Sequence, residues 1–257
     1  MPSTELIIET RDGNADAFLF TPAGGGRWPP IIFYMDGAGI RQALLEMAER
    51  LASNGFAVLL PNLYYRHGPA GPIGAKNRRR RMRAMLQSLT SESVIADTKA
   101  FLRYLDAQPA VQPPGVGALG YCLGGALALT VAAAFPGRVD AAASIHGARL
   151  ATAASDSPHR RAAEIEGEIY VAVAERDPRI LPGETEQLES ALSFAEVSHT
   201  IEVYPGTRRG FALPGEAAFD PEASEHHWAQ LLALFKRNVS GSLFRPGGVQ
   251  ALADRAS

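Results

Sequence analysis

The chain has 257 residues, enough for one large domain or two small ones. Apolar residues make up 46% and charged residues 20%, the balance of a globular protein with a sizeable core, which excludes disorder as the main state. Lys and Arg total 25 against 27 Asp and Glu, and the net charge of −2 argues against a general nucleic-acid binder. No apolar run approaches the ~18 residues of a membrane span. The opening MPSTELIIETRDGN lacks a basic region followed by an apolar one, so a cytoplasmic protein is expected. The 25 glycines and 18 prolines are dispersed, and no repeat or long linker divides the chain. One domain over residues 1–239 is expected, with a loosely held tail over 240–257.

In chain order, residues 6–8 and 17–20 read as short strands around the turn Asp12-Gly13. Pro29-Pro30 introduces an apolar strand at 31–34. A helix follows over 41–53, with Leu44, Leu45, Ala48 and Leu51 on one face, stopped by Asn54-Gly55. Residues 57–60 form the next strand, closed by Pro61. Residues 64–75 are a Gly- and Pro-rich loop, and 76–89 a basic helix. A further helix begins near Ser91, read as its N-cap. Residues 116–119 are a strand, and 127–135 an Ala-rich apolar helix ended by Pro136-Gly137. Strands at 141–145, 169–174 and 200–204 alternate with a helix at 184–195, and the last helix spans 221–238. Near-continuous apolar strands alternating with helices mean an α/β fold: a mostly parallel, twisted sheet with helices on both faces. In such sheets the site lies beyond the carboxyl ends of the strands.

Beyond the strand ending at Leu119 stands Gly120-Tyr121-Cys122-Leu123-Gly124-Gly125, leading straight into a helix. This is the strand–turn–helix setting of a nucleophile elbow, with cysteine as the nucleophile. Glycines two positions before and after Cys122 let the backbone pass closely. The helix N-terminus favours an anionic sulfur, and the Leu123 amide is placed for an oxyanion. Cys122 is also the sole cysteine, so a disulfide within the chain and a cysteine metal cluster are excluded. The alternative reading is a buried core cysteine in a glycine-rich turn. A second oxyanion amide, at Gly37, is expected from Met35-Asp36-Gly37-Ala38-Gly39 after the 31–34 strand. Asp177, after the 169–174 strand, is the candidate acid. A histidine should follow the last strand, but Pro205-Gly206-Thr207-Arg208-Arg209-Gly210-Phe211 contains none.

With these parts and the segments Pro61-Asn62-Leu63-Tyr64, Tyr204-Pro205-Gly206, Gly210-Phe211 and His227-Trp228, the sequence resembles the dienelactone hydrolase family of the α/β-hydrolase fold. The resemblance spans roughly residues 6–239. It implies a Cys–His–Asp hydrolase that opens small esters or lactones without cofactor or metal. Cys122 would be the nucleophile and Asp177 the acid. Asp36 matches a family glutamate that partners the resting cysteine, one methylene longer. The family histidine lies immediately before Gly-Phe, and that position is Arg209. An arginine of the basic helix, taken as Arg81, would bind a substrate carboxylate.

Arginine stays charged, so Arg209 cannot be the general base. Impaired or arrested hydrolysis is expected. Of the six histidines, none has the position of the missing base. His146 ends a strand near the elbow, as a structural residue, a pocket group or the first candidate to replace the missing base. His199, His226 and His227 read as structural, His67 as solvated and His159 as exposed. Tyr64 is either pocket-lining or core. Trp228, Leu231, Leu232 and Phe235 read as one core face of the last helix. The run RRRRMR at residues 78–83 reads as a solvated helix face. No metal-ligand spacing, dinucleotide fingerprint or phosphate loop is present. The partner expected is a small ester, lactone or thioester, with no nucleic acid, no membrane, and a monomer or weak homodimer. The competing reading is a binding protein for small anions on the same fold, with Arg209 holding the ligand.

Overall fold

The computed structural model describes residues 3–71 and 78–239. The tail expected over 240–257 lies outside the described residues, as do positions 76 and 77 of the basic helix. A tight hairpin of β1 (Ser3–Thr10) and β2 (Gly13–Phe20) opens the chain. Then follow β3 (Pro30–Tyr34), α1 (Gln42–Ser53), β4 (Ala57–Pro61), α2 (Arg78–Ser88), α3 (Ser91–Asp106), β5 (Val116–Tyr121) and α4 (Leu123–Ala134). The remainder is β6 (Val139–Ile145), β7 (Glu168–Arg176), α5 (Glu184–Phe194), β8 (His199–Arg208) and α6 (Pro221–Asn238).

All eight strands form one sheet in the order β1-β2-β4-β3-β5-β6-β7-β8. The pairs β1–β2 and β2–β4 are antiparallel, and every other pair is parallel. Every residue of β3, β4 and β5 is buried, as strands covered on both faces require. The two glycines of β5 show which helices cover which face. A Cβ on Gly117 would press on the Phe235 ring of α6, and one on Gly120 would run into the Gly124 carbonyl of α4. Positions of opposite parity point to opposite faces, so α4 and α6 flank the sheet from either side.

The elements differ from expectation at their ends. The cap of α3 is Thr90, one residue earlier than Ser91. Its hydroxyl accepts from the Ser93 N–H, and the Ser93 hydroxyl accepts from the Thr90 N–H, a reciprocal capping box. β8 runs on through Pro205-Gly206, because its pairing with β7 shifts register between Ala174 and Arg176. Residues 158–164 form a 3-10 turn (Pro158–Glu164) that the sequence reading left without structure. Trp228, Leu231 and Phe235 are core residues of α6 as expected, but Leu232 is only partly buried.

A buried ion pair ties the opening hairpin to α3. Asp97 is fully buried; its two oxygens accept from Arg66 at 2.8 and 2.9 Å, and Oδ1 also accepts from Tyr65 at 2.8 Å. Arg66 also pairs with Asp12 in the hairpin turn.

Candidate active site

The carboxyl ends of β3, β5, β6, β7 and β8 open on one side into a cavity of about 960 Å³. This is the upper end of the range for small-molecule sites. Cys122 sits on its floor at the junction of β5 and α4, with φ 55° and ψ −110°. A non-glycine residue in that region is strained. The turn is held by the Cys122 N–H donating to Ile145 O at 2.9 Å. It also depends on glycine: a Cβ at Gly124 would strike the Tyr34 carbonyl, and one at Gly125 would strike the Ser144 hydroxyl. These are the close passages expected of the elbow.

Leu123 is the first residue of α4, so its N–H has no partner within the helix, and the residue lines the cavity beside Cys122. Gly37, after β3, lines the same cavity, and the end of β3 lies directly against the start of α4. Asp177 follows β7 and its side chain is 1% exposed. Arg209 follows β8 and joins the two. Its Nη1 donates to Asp177 Oδ2 at 2.6 Å, and its Nη2 donates to Cys122 Sγ at 2.8 Å. Burial works against the charged guanidinium, but Cys122 and Asp177 opposite it prevail and raise its pKa. Arg209 is a fixed cation in the position expected of a histidine.

Asp36 lines the cavity, but its carboxylate is engaged elsewhere. Oδ1 accepts from the Ala38 N–H and from Arg41, both at 2.8 Å, and Oδ2 pairs with Arg41 at 2.7 Å. The resting partner of Cys122 is Arg209, where Asp36 was expected. Arg209 supplies the sulfur with a donor, and Arg41 takes up the Asp36 carboxylate.

Tyr64 is buried behind the oxyanion loop and is not among the described cavity-lining residues. Its hydroxyl donates to Gly37 O at 3.1 Å, which braces the loop. Burial, then the neighbouring Asp36 and Cys122, raise its pKa. Arg81 is exposed and does not line the cavity; α2 turns Met82 and Leu86 inward instead. Besides Arg209, the arginines that line it are Arg149, after β6, and Arg179, two residues beyond Asp177. Sequence reasoning passed over both, although each follows the carboxyl end of a strand, the rule that located Asp177.

His146 lines the cavity and is 1% exposed. Neither of its ring nitrogens has a hydrogen-bond partner. An unpaired buried polar group costs about 1–3 kcal/mol. Burial, with the Arg209 charge adding to it, lowers its pKa to about 3. His227 is buried against Tyr121, whose hydroxyl lies 2.8 Å from Nε2, and burial lowers its pKa to about 3 as well. His67 and His226 are exposed, and His199 pairs with Glu189 at the far end of β8. His159 is partly buried rather than exposed, with Nδ1 3.0 Å from the Ser157 hydroxyl. Among the described residues, no cluster of three or more His, Cys, Asp or Glu side chains is placed to hold a metal ion. No helix among them is long and apolar enough to cross a membrane.

Comparison with known proteins gives the same frame. The profile of the dienelactone hydrolase family matches residues 15–239. A Synechocystis protein provisionally named a carboxymethylenebutenolidase is 28% identical over 92% of this chain and 97% of its own length. The carboxymethylenebutenolidase of Pseudomonas sp. strain P51 is 38% identical over 131 residues, half of this chain and 54% of that enzyme. Among solved structures, a dienelactone hydrolase-like promiscuous phosphotriesterase, P91, from metagenomic libraries superposes with a TM-score of 0.77. It is 22% identical, over 94% of this chain and all of its own.

Proposed function

The chain belongs to the dienelactone hydrolase family, and on that premise we propose that it is a hydrolase of small esters, lactones or thioesters that works through Cys122. The observation that carries this reading is the Arg209–Cys122 contact of 2.8 Å in the cavity, at a strained strand–helix elbow. The guanidinium donates to Sγ and keeps a positive charge beside the attacking atom.

In acylation, Sγ attacks the carbonyl carbon. The S–C bond forms, the carbonyl electrons move to oxygen, and the Leu123 and Gly37 amides stabilise that oxyanion. The tetrahedral species collapses with loss of the alkoxide, which takes a proton from water because Arg209 has none to spare. Asp177 and Arg209 hold each other in place throughout. Deacylation then needs an activated water, and the cation at position 209 supplies no base for it. Slow turnover with an accumulating acyl-enzyme is the expected behaviour.

Mixing the protein with p-nitrophenyl acetate tests this. A stoichiometric burst of p-nitrophenolate and an acetylated protein are expected, both lost in Cys122→Ala. A burst that survives Cys122→Ala rules the reading out. A second reading, a binding protein for small anions, is favoured by Arg149, Arg179 and Arg209 lining one cavity. It requires anion-dependent thermal stabilisation that persists in Cys122→Ala, with no burst in either protein.

A further inference from the structure

His146 is a buried titratable side chain beside the nucleophile that acylation does not use. β5 and β6 run in parallel register, Gly120 opposite Ser144 and Tyr121 opposite Ile145. The next positions of the two strands are Cys122 and His146. Paired strands lie about 4.8 Å apart, and the Cys122 N–H bond to Ile145 O keeps these two together through the elbow. The His146 backbone is in the left-handed region, with φ 38°, and its N–H is anchored on Ala172 O at 2.7 Å. That conformation turns the ring under the site, edge-on to Tyr121 and Phe211 with centroids 5.9 and 5.8 Å away. It borders the same cavity as Cys122 and Arg209, and both ring nitrogens lack a partner. Buried ring nitrogens ordinarily have one.

We infer that His146 accepts the proton from the water that hydrolyses the acyl-enzyme, the role that Arg209 cannot fill. The inference rests on the Cys122 acyl-enzyme reading above. Four titratable groups face or border the ring. They are Cys122 at the elbow, Tyr121 from β5, Arg209 after β8 and His227 from α6. Burial and the Arg209 charge keep the ring neutral, so a lone pair is available at neutral pH. In the resting protein the nitrogens are closed to water and Arg209 is bound to the sulfur. Acylation ties up the sulfur as a thioester, which frees the Arg209 Nη2 donor, and the attacking water comes from the cavity that both Cys122 and His146 line. The water oxygen then bonds to the acyl carbon while one of its protons passes to the His146 ring. The C–S bond breaks and its electron pair returns to Sγ as thiolate, which Arg209 takes back. The product acid loses its remaining proton to solvent, and His146 releases its own proton the same way.

Decay of the acetyl-enzyme, followed by intact-mass spectrometry after a pulse of p-nitrophenyl acetate, tests the inference apart from acylation. In His146→Gln the burst is expected to persist while adduct decay slows by ~10²-fold, the lower end of general-base effects. His146→Asn serves as a second variant. Decay at the native rate in both overturns the inference. The native protein gives an independent reading: decay should slow at the pH where the ring takes up a proton, and that step should be absent in His146→Gln. The same pH profile of decay in the two proteins overturns it too. Loss of the burst itself in the native protein removes the acyl-enzyme reading, and this inference with it. That result is distinct from unchanged decay with a normal burst.

Discussion

Arg209 Nη2 lies 2.8 Å from Cys122 Sγ, and the other arm of the same guanidinium holds Asp177 at 2.6 Å. One guanidinium therefore bridges a carboxylate and a sulfur, and in the reading proposed above it stands where an acid–base–nucleophile relay would have its base. A positioned proton acceptor is worth ~10²–10⁴ in rate. Arg209→His is expected to raise steady-state turnover of p-nitrophenyl acetate by ~10²-fold or more, with the burst rate changed far less. Equal turnover in the two proteins would show that position 209 does not limit the reaction.

The elbow depends on the absence of side chains under it. Gly124→Ala places a methyl group against the Tyr34 carbonyl, a backbone atom that cannot yield without moving β3. Overpacking of this kind costs ~1–3 kcal/mol. The variant is expected to lose that stability in urea unfolding and to lose the acylation burst, because the displaced backbone leads into Gly37 and Leu123, the oxyanion amides proposed above.

Asp97 tests a part of the molecule that does not line the cavity. It is fully buried, with Arg66 on both oxygens and Tyr65 on one. Removing one partner of a buried pair costs about 3–5 kcal/mol because the other charge is stranded. Asp97→Ala is expected to lower the urea midpoint accordingly, and the acylation burst of the folded fraction should be unaffected. A change of under 1 kcal/mol would mean that Arg66 re-pairs fully with Asp12.

How far the site could be read from the chain differs from part to part. The elbow was legible because a buried strand, a glycine pattern and a helix start meet at Cys122, and backbone sterics permit few other outcomes there. Asp177 was legible because sites in parallel sheets follow strand ends. Arg81 was not, because four consecutive arginines carry no helical phase. The phase of α2 was written in Met82, Met85, Leu86 and Leu89, at spacings of three and four, and that is the face turned to the cavity and core. The role of Asp36 was missed because its partner, Arg41, is a nearby residue with no strand-end position to mark it. The unpartnered state of His146 depends on packing from β5 and the segment after β8, which no local pattern encodes.

His146 and His227 together set an acid limit on stability. Both are buried, and burial lowers each pKa to about 3 from the ordinary 6.5. A folded-state value below the unfolded one means that the unfolded chain binds more protons below pH 6.5. The contribution is therefore complete above about pH 6.5 and is lost as pH falls toward 3. With two protons linked, the slope approaches about 3 kcal/mol per pH unit. Urea midpoints measured from pH 7 to pH 4.5 are expected to fall steeply, and His146→Gln to flatten the slope by about half.

Arg41 gives the cavity a further property. Its guanidinium holds Asp36 at 2.7 Å on the loop after β3 and reaches Glu216, at 3.4 Å, on the segment after β8. The first loop carries the Gly37 amide, and the second lies a few residues beyond Arg209. Two walls that are far apart along the chain are thus moored to a single side chain. Changes at position 41 act on the alignment of the oxyanion amide and the Arg209 segment together, although Arg41 touches neither Cys122 nor Asp177. Tuning by substitution at this mooring would alter the two halves of the chemistry in step, without any change to the reacting groups themselves.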